Sequence, residues 1–75
     1  MEITVKCFAT LSEYQPDNAD RFPIEERNTV QDVLERLNIS PKEVKLVFVN
    51  GKKAPLTQEI KNGDRIGIFP AVGGG

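Results

Sequence analysis

The sequence predicts an α+β domain, a sheet with one main helix packed across one face in the order ββαβββ. Three observations point there: a stretch of period 2 from Glu2 to Phe8, a single segment of helical period from Thr29 to Asn38, and an Asn50-Gly51 pair set between strand-like runs.

In "EITVKCF", Ile3, Val5 and Cys7 alternate with Thr4, Lys6 and Phe8, the pattern of a strand with one buried face. The aliphatic set is expected inside. Pro16 and Asn18 then favour turns, and "RFPI" resumes a short extended segment in which Pro23 suits a sheet edge. In "NTVQDVLERLN", Val30, Val33, Leu34 and Leu37 recur at helical spacing, and Thr29 with Asp32 makes a capping box in which Asp replaces the usual Glu or Gln. The helix is expected to stop near Asn38, because the residue before Pro41 avoids helical backbone. "KLVFVNGKKA" reads as strand, tight turn and return strand. "PLTQEIKNGD" is a turn-rich connection, and Asn62-Gly63-Asp64 bends into a last strand, "RIGIF", where Ile66 and Ile68 alternate with Gly67 and Phe69.

Composition narrows the function classes. A chain of 75 residues holds one domain with one small core, so a large internal pocket is not expected. Ten basic residues stand against 11 acidic ones without blocks of either sign, which disfavours nucleic acid as the main partner. Cys7 is the only cysteine and histidine is absent, leaving no internal disulfide, zinc ligand set or Cys/His or Ser/His/Asp apparatus. Glu25, Glu26, Glu35 and Glu59 show no metal-binding spacing. The chain opens without a basic and apolar leader and contains no run long enough to cross a bilayer, so a cytoplasmic location without a membrane partner is expected.

The last residues are "FPAVGGG". Taken alone, the glycines read equally as a terminus without a role and as a reactive handle. Cys7 reads first as a buried small hydrophobe, with a redox or sulfur-relay role as the alternative. Lys45, Lys52, Lys53, Lys61 and Arg65 read first as a solvated face, with pairing to acidic partner surfaces as the alternative.

"CFATLSE", "TVQDVLERL", "VNG", "NGDRIGIFP" and the terminal Gly74-Gly75 together make the whole chain resemble the β-grasp, ubiquitin-like sulfur carriers. That family includes the small subunit of molybdopterin synthase (MoaD) and the thiamine carrier (ThiS). The resemblance implies a mixed sheet in which the first, last and third strands are neighbours and the first and last run parallel. It implies a domain over 1–70 and a flexible Gly-rich tail over 71–75. A partner resembling the ubiquitin-activating enzymes would use ATP to adenylate the carboxylate of Gly75, beside Gly74, and convert it to a thiocarboxylate. The chain itself is expected to bind no cofactor and to hold no independent active site. In the molybdopterin type it would be the small subunit of the synthase, a protein cosubstrate whose tail enters the large subunit.

The tail departs from the molybdopterin pattern "FFPPVAGG" at Ile68, Ala71 and Gly73, and Ser12 stands where those carriers often have Arg. "PAV" also resembles a mycobacterial-type carrier for cysteine synthesis. Molybdenum cofactor biosynthesis ranks first. Thiamine thiazole or cysteine synthesis, a ubiquitin-like protein modifier and a plain interaction module are the alternatives.

Glycine suits such a tail physically, since it removes side chains that would clash in a narrow passage and the Cβ that would crowd attack at the carbonyl. Ordering each tail residue costs about 1–2 kcal/mol of backbone entropy, so contacts elsewhere must offset it. If Ile3, Val5, Val47, Val49, Ile66 and Ile68 face the helix, Phe8, Phe48 and Phe69 fall on the opposite face. With Leu46, Val72 and Gly73 they are the expected partner-binding residues. Ordinary core packing is the alternative for the phenylalanines, because facing depends on register.

Overall fold

The structure, a computed structural model, describes residues 1–71. Strand β1 (Glu2–Cys7) buries Ile3, Val5 and Cys7, as its alternation requires. It pairs antiparallel with β2 (Phe22–Pro23), where Pro23 lies on the sheet edge, and parallel with β5 (Arg65–Pro70). Strand β5 pairs antiparallel with β3 (Val44–Val49), which forms a hairpin with β4 (Lys52–Ala54). The strand order is β2-β1-β5-β3-β4, a mixed ubiquitin-like β-grasp sheet. The hairpin turn follows from its sequence: Asn50 (φ 53°) and Gly51 (φ 83°) both take the left-handed backbone that a two-residue turn needs.

Helix α1 (Val30–Arg36) begins at the expected capping box. Asp32 N donates to Thr29 Oγ1 at 3.3 Å, and Thr29 N donates to Asp32 Oδ2 at 2.8 Å. Its end comes where Asn38 turns left-handed (φ 62°). Val30, Val33 and Leu34 join Ile3, Val5, Val47, Val49, Ile66 and Ile68 in one core, so the expected inward set is the observed one.

The segment read as a turn-rich connection does more than turn. Val30 N and Gln31 N, two helix donors with no partner inside α1, donate to Gln58 O and Leu56 O at 2.9 and 3.0 Å. Ile60, 1% exposed, seals the core beneath them. Three short 3-10 helices, Ala9–Tyr14, Ala19–Arg21 and Pro41–Glu43, were not expected from the sequence, and the second takes in Arg21 of the segment read as extended.

Beyond the short β2, the edge of β1 is completed by a side chain. The Gln15 amide accepts from Cys7 N at 2.7 Å and donates to Val5 O at 3.0 Å, serving the backbone as a neighbouring strand would. Among the described residues no helix is long and apolar enough to cross a membrane.

Candidate functional site

The helix covers one face of the sheet, and the opposite face carries the candidate site. Register places Lys6 beside Gly67, Gly67 beside Phe48, and Phe48 beside Lys53, a row across β1, β5, β3 and β4. Alternation then puts Thr4, Arg65 and Phe69 on the same side.

Phe8 lies one residue past β1, and its N–H extends the parallel ladder by donating to Ile68 O at 3.0 Å. Ala9 then takes left-handed backbone (φ 52°) and turns the chain, so that Leu11, 2% exposed, enters the core while Phe8 stays on the outer face. The Phe8 and Phe69 rings stack with centroids 4.3 Å apart and planes 6° from parallel. Phe48 meets Phe69 edge-on at 5.5 Å and 82°. Both arrangements are favoured by the ring quadrupoles.

Gly67 makes the stack possible. A Cβ there would stand 3.2 Å from Phe8 Cε2 and 3.6 Å from Phe69 Cε1, so the missing side chain lets Phe8 lie closely across β5. The result is a shallow depression of about 390 Å3 lined by Phe8, Phe48, Phe69 and Gly67, with Lys6, Arg65, Thr4, Ile66 and Gly51 completing it. Lys6 Nζ sits 5.3 Å from the Phe8 ring centroid, within cation–π range.

The chain leaves the sheet beside this stack. Pro70 lies opposite Val44, and Ala71, which the sequence assigns to the tail, donates its N–H to Glu43 O at 2.8 Å. Val72, Gly73, Gly74 and Gly75 lie outside the described residues.

Of the residues singled out from sequence, the structure thus brings Phe8, Phe48 and Phe69 together. Leu46 stands opposite Phe69 on β3 but lines a separate depression, of about 250 Å3, with Pro41, Val44, Pro55 and Leu56. Sequence reasoning passed over Gly67 and Lys6. A glycine inside a strand was the available signal for the first, since it marks close approach of another group. Lys6 could be placed at the site only once register was known.

Other reactive groups are quiet. Cys7 is buried in the core, and burial pushes its thiol pKa up, so the sulfur stays protonated at neutral pH. Tyr14 is also pushed up, first by the Glu43 carboxylate, then by desolvation and by Glu13; its hydroxyl donates to Glu43 Oε1 at 3.5 Å. The described residues hold no cluster of three or more His, Cys, Asp or Glu arranged for a metal ion.

The model of the ThiS family matches residues 5–75. The chain belongs to the ThiS family. Known structures share its fold. SAMP1 from Haloferax volcanii is 26% identical with all of both chains covered and a TM-score of 0.72. The Haloferax volcanii HVO 2177 protein is 24% identical, covering 100% of this chain and 87% of its own, at a TM-score of 0.78. A Pyrococcus furiosus protein assigned as molybdopterin converting factor, subunit 1, is 23% identical over 96% and 99% of the two chains, at 0.73. No curated protein matches. The ThiS-family match takes in Phe8, Phe48, Phe69 and the glycine run as well as the core strands from Val5 onward.

Proposed function

We propose that this ThiS-family chain is a sulfur carrier. The observation that carries the reading is the extent of the family match, which runs to Gly75 and so includes the glycines that would bear the sulfur. In this reading the Gly75 carboxylate attacks the α-phosphorus of ATP on a partner enzyme, releasing pyrophosphate and leaving an acyl-adenylate. Sulfide (HS⁻) from the sulfur source then adds to the carbonyl carbon and AMP departs, giving the thiocarboxylate. A free carboxylate is a poor electrophile, and the adenylate supplies the leaving group. The nucleotide and the catalytic groups belong to the partner, an adenylating enzyme of the ubiquitin-activating type. The chain supplies a tail without side chains and an aromatic face, Phe8, Phe48 and Phe69, on which that enzyme and the sulfur acceptor dock. The setting is cytoplasmic.

Molybdopterin synthesis ranks first as destination, on the resemblance of "CFATLSE" and "NGDRIGIFP" to the molybdopterin carriers; the acceptor would then resemble the synthase large subunit. Thiamine thiazole and cysteine synthesis are the other destinations. A second reading, a ubiquitin-like protein modifier, draws on the full-length likeness at 26% identity to SAMP1, the small archaeal modifier protein 1 of Haloferax volcanii.

The test is intact-mass measurement after incubation with an activating enzyme, ATP and a sulfur source. An oxygen-to-sulfur mass increment, lost when Gly75 is deleted, supports the carrier. A ladder of adducts on other proteins supports the modifier instead. Phe8→Glu or Phe69→Glu should weaken binding to the activating enzyme while the monomer stays folded; unchanged affinity removes the aromatic face from the mechanism.

A further inference from the structure

The outer sheet face carries three cations as well as three aromatics. Lys6 and Lys53 bracket the Gly67–Phe48 row from opposite ends, and Arg65 precedes Gly67 by two residues on β5. All three side chains are exposed. Among the described residues the single ion pair is Arg21 with Glu2 at 3.4 Å, so none of the three has a carboxylate in salt-bridge range. The nearby acids are already engaged: Glu2, on the outer side of β1, is held by Arg21, and the Asp64 carboxylate accepts from Asn50 Nδ2 at 2.9 Å and from Lys61 N at 2.8 Å. Among the described residues this face therefore carries three cations without an ion-paired carboxylate around an apolar floor.

We infer that this face is built for a protein surface carrying an apolar knob bordered by carboxylates, with Lys6, Lys53 and Arg65 selecting it. The inference rests on the docking reading above and names the chemistry of the docked partner. The apolar lining of the depression seats aliphatic or aromatic side chains, which a phosphate backbone does not offer. Covering that floor excludes water and lowers the local dielectric, so carboxylates at the rim gain from the cations while a basic rim is repelled. Electrostatic complementarity of this kind acts mainly on encounter rate and partner choice.

The experiment measures thiocarboxylation of the full chain by a purified activating enzyme at several NaCl concentrations, for the wild type, Lys6→Glu, Lys53→Glu, Arg65→Glu and, as a charge-matched control away from the face, Arg27→Glu. The expected result is a KM for the carrier raised about tenfold by each reversal on the face, with kcat unchanged, and a wild-type KM that climbs with salt. Arg27→Glu should behave as wild type. Face reversals that leave KM unmoved, or a control that moves it as far, overturn the inference while the carrier reading stands. A wild type that accepts no sulfur overturns the carrier reading itself, and this inference with it. Binding of the wild type to a single-stranded oligonucleotide that competes with the enzyme for this face also overturns the assignment of a carboxylate-bearing partner.

Discussion

Replacing Gly67 with alanine should separate stability from function. Glycine inside a strand costs roughly 0.5–1 kcal/mol relative to alanine, so the backbone favours the substitution. Against that, the new Cβ would start 3.2 Å from Phe8 Cε2, tighter than most carbon contacts, and the ring must yield by a few tenths of an ångström. Phe8 sits at the surface and can tilt away, which breaks a stack now 6° from parallel and forfeits about 0.5–1.5 kcal/mol of ring interaction. The two effects nearly cancel, and the midpoint of thermal unfolding should stay within about 4–8 °C of wild type, the shift equivalent to about 1 kcal/mol in a domain of this size. Function should not be spared, because the methyl fills the floor of the depression and the platform around it is no longer flat. Calorimetry gives the stability. Aromatic NMR shifts of Phe8 and Phe69 report the stack, and the KM for thiocarboxylation should rise about tenfold. Unchanged ring shifts with an unchanged KM would refute the claim that the missing side chain shapes the surface. A collapse in thermal stability would refute the claim that Phe8 has room to move.

Gln15→Ala leaves Cys7 N–H and Val5 C=O without the partners they now have, and should cost about 1–3 kcal/mol, read as a lower urea midpoint at constant m-value. Thr29→Ala removes the acceptor for Asp32 N and half of the capping box, for a loss of about 1 kcal/mol in the same titration. The Cys7 thiol, raised in the folded state by burial, keeps its proton at pH values where the unfolded chain has released its own. Stability should therefore be full below the ordinary thiol range and fall as pH rises through it toward the raised value. Cys7→Ala should remove the part of the alkaline slope that begins in the thiol range and leave the part that Tyr14, also raised in the folded state, contributes at higher pH, measured as unfolding free energy against pH.

The strands were legible because aliphatic residues recur at every second position, so Ile3-Val5-Cys7 and Ile66-Ile68 announced their inward faces, and with them the outward positions of Phe8, Phe48 and Phe69. The helix was legible because Thr29 and Asp32 are local to it. What stayed hidden depends on contacts between distant parts of the chain. Ile60 is buried because its segment closes over the first turn of α1, and nothing in the neighbouring residues encodes that closure. The parallel pairing of β1 with β5 joins the two ends of the sequence and was supplied by resemblance rather than by pattern. Gly67 read only as an outward position of the last strand until that pairing placed Phe8 beside it.

If the chain is the sulfur carrier proposed above, the ladder between β5 and β3 gives a whole domain a purpose in a reaction at one carboxyl group. A free peptide, Phe69–Gly75, contains every reacting atom, yet it should be a far poorer substrate than the folded chain. In the domain Phe69 and Pro70 are fixed in the ladder with β3, and Ala71 is held by Glu43 O at 2.8 Å. The peptide must order those three residues on binding, at about 1–2 kcal/mol each, or about 3–6 kcal/mol together. Even the lower figure is more than a hundredfold in kcat/KM. The peptide also lacks Phe8, Phe48 and the cations, so the contacts that offset tail ordering are missing as well. Adenylation can be followed by pyrophosphate release at equal concentrations of peptide and protein. A peptide charged within tenfold of the domain's rate would mean that the enzyme reads the tail alone, and the outer face of the sheet would lose its role.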